Sequence, residues 1–212
     1  MEGTDPVNKK LAAALSGGAV LVVALSGCSS DSEAKGPDPK LVAWAKTVCD
    51  AVPVQDAKIK AANAAISTTA ADTAKPETLQ KTDSKAFQDM ADGYKAIAAA
   101  ISGAGTPPGV EGGAKRQQDV VKNLNSLADS YADLKKQVDA LNTKDQGKFA
   151  AGLRDVATQM TELEKQHKSG VEALKNLQQG EVKEAIAEQA SCKKVASSAA
   201  PSTGTTTGSA QG

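Results

Sequence analysis

The sequence predicts an all-α protein: an up-and-down bundle of four helices with a short fifth C-terminal helix clipped by a disulfide. Three observations predict it. Alanine supplies 39 of the 212 residues and aromatic side chains only five, a balance that favours helices over sheets. Through the second half of the chain, apolar residues step in alternating fours and threes, the period of a buried helical seam. Two cysteines, Cys49 and Cys192, stand near the start and the end of the patterned region. The formal net charge is zero, with 25 Lys+Arg against 25 Asp+Glu, which argues against a nucleic-acid partner.

The segment before the bundle reads as an address. Lys9 and Lys10 precede an uncharged, largely apolar run from Leu11 to Leu25. The run is shorter than the roughly 20 apolar residues a spanning helix needs, and suits the apolar core of a secretory signal. It ends in Leu25-Ser26-Gly27-Cys28. This ending resembles the lipobox of bacterial lipoprotein precursors. The resemblance implies cleavage after Gly27 and a diacylglyceryl group on the Cys28 thiol. Residues 1–27 are then a lipoprotein signal peptide. Residues 28–39, polar and holding Gly36, Pro37 and Pro39, are a tether that reaches about 35 Å when extended. Two acyl chains on one residue satisfy the two-signal rule for stable anchoring.

The bundle domain is expected over 40–196. Asp38 as cap and Pro39 in the first turn open the first helix, whose seam runs Leu41, Ala45, Val48, Val52, Ile59 and Ile66. Pro53 predicts a kink, or a split after Val52. Ser67, Thr68, Thr69 and Pro76 read as a loop. A second helix is expected over 83–102, with Phe87, Met90, Tyr94, Ile97 and Ile101 on one side. Gly103 to Gly109 then breaks the chain. The third helix carries an unbroken seam, Val120, Leu124, Leu127, Tyr131, Leu134, Val138 and Leu141. Thr143 and Gln146 match a capping box for the fourth. That helix continues the rhythm through Phe149, Leu153, Val156, Met160, Leu163, His167, Gly170, Leu174 and Leu177, with Val171 able to share the seam at Gly170. A fifth helix is expected from Glu181 to about Val195. So short a turn between the third and fourth helices makes them antiparallel. Residues 197–212 hold only Ser, Thr, Gly, Ala, Pro and Gln, and are expected to be a disordered tail.

With Cys28 consumed by lipid, Cys49 and Cys192 form an even pair in an oxidising setting and are expected to bridge. Few groups in the sequence support catalysis. His167 is the one histidine, so any Ser-His-Asp or Cys-His arrangement would have to use it. The glycines between 103 and 113 lack the Lys-Ser/Thr pair of a phosphate loop. Glu164 and His167 have the Glu-x-x-His spacing of di-iron bundles, but such sites need a second pair and two further inward glutamates. His167 beside Gly170 instead marks a polar, locally thin place in an apolar seam, a candidate pocket. Trp44 reads as a core or edge residue, the alternative being a ring at the lipid interface.

The lipobox at Leu25–Cys28, the Trp44 to Cys49 spacing near the start of the first helix and the Ala190-Ser191-Cys192 near the end together resemble small secreted lipoproteins of actinobacteria. The 23 lysines against two arginines depart from the Ala/Arg-rich composition usual there. The resemblance implies a helical, disulfide-clipped domain on the extracytoplasmic face of the membrane. It carries no activity, cofactor or metal. The expected function is a non-enzymatic interaction or binding module, anchored to the membrane through Cys28, with a protein or cell-wall partner. The competing expectation is a small-molecule or metal-binding bundle with its site near His167.

Overall fold

A computed structural model describes residues 36–71 and 75–193. The expected signal peptide, most of the tether including Cys28, and the 197–212 tail lie outside the described residues. Within them every regular element is a helix: α1 (Pro39–Ala71), α2 (Pro76–Gly103), α3 (Gly113–Asp139), α4 (Gln146–Leu177) and α5 (Glu181–Ala187). The predicted four-helix bundle with a short, disulfide-clipped fifth helix is the observed architecture.

The start of α1 follows the capping rule. Asp38 Oδ1 accepts the Lys40 N–H at 2.7 Å, with Pro39 at the position where a missing N–H costs nothing. Of the two outcomes expected at Pro53, the split after Val52 does not occur; α1 runs as one element to Ala71. The loss of one backbone bond is outweighed because Leu41, Ala45 and Cys49 before it and Ile59 and Ala62 after it are all buried. The expected loop after Ile66 is also helix. Ser67 Oγ and Thr68 Oγ1 donate back to the Asn63 and Ala64 carbonyls at 3.0 and 2.9 Å, so these hydroxyls are satisfied within the helix.

Helix α2 starts seven residues earlier than expected, because Pro76 is its first-turn residue and not a loop breaker. Its buried face, Phe87, Met90, Tyr94, Ile97 and Ile101, is the predicted one. Helix α3 buries Val120, Leu124, Leu127, Tyr131, Leu134 and Val138 as predicted, and Leu141 follows just beyond its end. The cap of α4 is Asp145, whose carboxylate accepts the Lys148 N–H at 3.0 Å; the Thr143–Gln146 capping box does not form. Helix α5 ends at Ala187, and a separate single-turn helix occupies 190–193, so the expected helix to Val195 is broken at Glu188–Gln189.

Each helix packs on the next: α1 on α2, α2 on α3, α3 on α4, with α5 returning to α1. Two side-chain amides, Gln117 (buried) and Gln80 (half-buried), fix the connections. Gln117 Nε2, on α3, donates to the Ile101 and Gly105 carbonyls at 2.6 and 2.7 Å, and Trp44 Nε1 donates to the same Gly105 carbonyl at 2.7 Å. Trp44 is therefore a core residue with a polar handle, 5% exposed. At the other end, Gln80 Nε2 reaches the Val138, Asp139 and Leu141 carbonyls at 2.9 to 3.2 Å and satisfies the open C-terminus of α3. At Gly112 (φ 67°) and Gly180 (φ 59°) the chain takes the left-handed turn that precedes α3 and α5.

Cys49 and Cys192 are joined, their Cα atoms 5.1 Å apart, and Cys49 is fully buried. Beside the bridge, Ser191 Oγ donates to Asp50 Oδ1 at 2.8 Å, and Gln189 Nε2 reaches the Val42 carbonyl at 3.4 Å. Asp50 is held below the usual carboxylate range, first by its bond from Lys46 and then by Ser191. Most of the ion pairs among the described residues join a Lys and an Asp one turn apart, as at Lys85–Asp89 and Lys115–Asp119. Each such pair contributes about 0.3–0.5 kcal/mol.

Candidate functional site

The helices pack in sequence, but α1 and α4 do not close on each other along their length. The gap is a groove of about 720 Å³, lined mainly by α4, with Asn63 of α1 on the opposite wall and Tyr131 of α3 in the floor. This volume lies in the range of sites for small molecules. From Ala157 to Lys175 the α4 wall is about 27 Å long at 1.5 Å per residue.

An aromatic column stands behind the groove. Tyr94 and Tyr131 are stacked, their rings 5.6 Å apart and 6° from parallel, and Phe87 lies behind Tyr131 at 6.2 Å. His167 completes the column, its ring edge-on to Tyr94 at 5.6 Å, with Nε2 2.5 Å from Tyr94 Oη. The predicted seams account for this: Tyr94, Tyr131 and His167 occupy seam positions on α2, α3 and α4. Burial pushes the Tyr94 hydroxyl far above its ordinary pKa, aided by the neighbouring Tyr131 and Asp56, and burial also raises that of Tyr131. Both phenols are thus held neutral as hydrogen-bonding groups.

His167 lies at the groove, exposed, with the Tyr94 bond fixing its ring. Gly170 is buried on the other side of α4; a Cβ there would stand 3.5 Å from Leu127 Cδ1, so this glycine brings α4 close to α3 and does not line the groove. Val171 does not share the seam as expected. It is 42% exposed and lines the groove. Glu164 lies on the groove wall beside His167, and among the described residues no group of three or more His, Cys, Asp or Glu side chains is placed to hold a metal ion. Cys49 and Cys192 are spent in the disulfide.

The sequence reading missed Asn63, Tyr131 and the Met160–Val171 stripe as groove residues. A signal was present: from the seam residue Met160, α4 carries a second line of contact positions, Glu164, Lys168, Val171 and Lys175, at helical steps of three and four. Polarity changes along this wall. The part nearer the α3–α4 turn, Ala157 to Leu163, carries no charge, and the part nearer the α4 C-terminus holds Glu164, Lys168, Glu172 and Lys175.

No protein-family model, curated protein or solved structure matches this chain.

Proposed function

We propose that this chain is a non-enzymatic binding module held on the extracytoplasmic face of the cell membrane by lipid on Cys28. The observation that carries the reading is the Leu25-Ser26-Gly27-Cys28 ending of a short apolar run behind Lys9 and Lys10. The Cys49–Cys192 disulfide supports it, since such bonds persist in oxidising compartments outside the cytoplasm. The non-enzymatic part rests on His167, whose hydrogen-bond partner is a tyrosine held neutral and not a serine, cysteine or carboxylate. The groove favours a small molecule as the bound species.

The test is the covalent mass of the protein extracted from the membranes of its own host, with Cys28→Ala beside it. The reading expects a chain beginning at Cys28 with a diacylglyceryl group, and release of the Cys28→Ala protein from the membrane fraction. An unprocessed chain with three free thiols in the cytosol overturns it.

A further inference from the structure

We propose that the α1–α4 groove binds one slender membrane amphiphile, a single acyl chain carrying a zwitterionic headgroup. This deepens the binding-module reading and rests on it for the source of the ligand, though the binding chemistry stands on the groove itself.

Size selects the class. The groove is about 27 Å long at the helical rise, yet its volume of about 720 Å³ falls within the span of small-molecule sites. An extended acyl chain can follow the 27 Å of the α4 wall within a volume of this size.

Polarity along the groove sets the orientation. Toward the α3–α4 turn the lining is Ala157, Met160, Thr161 and Leu163 over the Tyr131 ring, with no charge, and the Thr161 hydroxyl is bonded back to the Ala157 carbonyl. Toward the α4 C-terminus lie Glu164, Lys168, Glu172 and Lys175, with Val171 among them. Val171 and Val54 are the large apolar side chains left exposed among the described residues, and Val171 is the one placed in a concave site. Burial of such surface under an acyl chain is favourable at about 25 cal/mol per Å².

The headgroup follows from the charges. Glu164 and Lys168, and Lys168 and Glu172, are spaced for pairing on a helix, as Lys85–Asp89 and Lys115–Asp119 pair elsewhere. None of Glu164, Lys168, Glu172 and Lys175 is ion-paired in the structure. Two cations and two anions alternate along the wall. A ligand with both signs complements them; one with a single sign meets a like charge at every second position. His167 and Asn63 add hydrogen-bonding side chains to the lining.

The test uses the intact protein reconstituted in phosphatidylethanolamine/phosphatidylglycerol vesicles. The probe is palmitoyl-lysophosphatidylethanolamine carrying a photoreactive group on its chain, compared with the matching photoreactive palmitate. The expected result is one saturable adduct per protein, mapped to the α4 segment 157–171 and to the α3 segment around Tyr131. The zwitterion should saturate at a concentration at least tenfold below that of palmitate. Val171→Glu, at an exposed position, should lower labelling at least tenfold with the circular dichroism spectrum and Tm unchanged. No saturable adduct, adducts elsewhere on the bundle, or unchanged labelling of Val171→Glu overturns the groove assignment. Equal or better labelling by palmitate overturns the zwitterionic headgroup. A protein that binds the probe but proves to be unlipidated in its host overturns the anchor and leaves the groove standing; a lipidated protein that does not bind does the reverse.

Discussion

The Gly105 carbonyl receives two buried donors, Trp44 Nε1 and Gln117 Nε2, each at 2.7 Å. One oxygen thus ties α1, the α2–α3 connection and α3 together. Gln117→Leu keeps comparable bulk and removes the amide. The Ile101 carbonyl then loses its 2.6 Å donor near the end of α2, while Gly105 keeps Trp44. Leaving one buried acceptor unpaired costs about 1–3 kcal/mol. Trp44→Phe keeps an aromatic ring in the core and leaves Gly105 with Gln117, so its hydrogen-bond loss is about 1 kcal/mol, plus the packing lost with the smaller ring. The double variant strips Gly105 of both donors. It should be more destabilised than the sum of the two single variants, with a coupling of about 1 kcal/mol, within the span seen for residues sharing a network. Urea unfolding followed by circular dichroism supplies all four stabilities. A coupling below about 0.3 kcal/mol would mean that water takes the place of either donor at this exposed glycine, and would refute the account of Gly105 as a shared anchor.

Other perturbations test separate parts of the fold. Replacing both Cys49 and Cys192 by serine opens a loop spanning a sequence separation of 143 residues. Chain-entropy reasoning sets the loss at up to about 5 kcal/mol, readable as a lower urea midpoint that reductant no longer affects. Tyr94 and Tyr131 are the protein's two tyrosines and both are harder to ionise when folded. Their contribution is therefore complete below the unfolded value near 10 and is lost as pH rises toward the folded values. Alkaline titration at 295 nm should show no tyrosinate until the helical signal falls, and ionisation of either phenol in the folded protein would contradict the burial of the aromatic column. At Gly93 a Cβ would come within 2.7 Å of Ile59 Cγ1, where α2 crosses α1. Gly93→Ala should destabilise by about 1–2 kcal/mol despite alanine's better helix propensity, and in an Ile59→Ala background, which lacks the clashing γ and δ carbons, the same substitution should cost less in thermal unfolding.

The seams of α3 and α4 were legible because their period survives without interruption over seven and nine positions, and burial obeys it from Val120 to Val138. Local punctuation misled where a rule had two meanings. Pro76 ends helices from within but opens them at the first position, and here it opens α2. Ser67 and Thr68 belong to loops by composition, yet their hydroxyls bond back to α1. Pro53 lost to the packing on either side of it. The disulfide was legible from parity and position. The groove was not, because periodicity states which face of a helix is apolar and does not state whether the first and last helices of a bundle meet. His167 pointed to the place, but Asn63 and Val171 became visible only once α1 and α4 were seen to stand apart.

The α1–α5 contact differs from the others in how far it reaches along the chain. Helices α1 to α4 pack on their immediate successors, so most of the bundle can be built from contacts of short sequence range, the class of topology that folds in microseconds to milliseconds. The docking of α5 on α1 alone joins the two ends. Cys49 and Cys192 meet only through that docking, and disulfide formation takes seconds to hours. Oxidation therefore comes after folding and does not direct it. The bridge records that both ends of the chain have arrived, and thereafter keeps a rapidly folding bundle from unravelling at its ends.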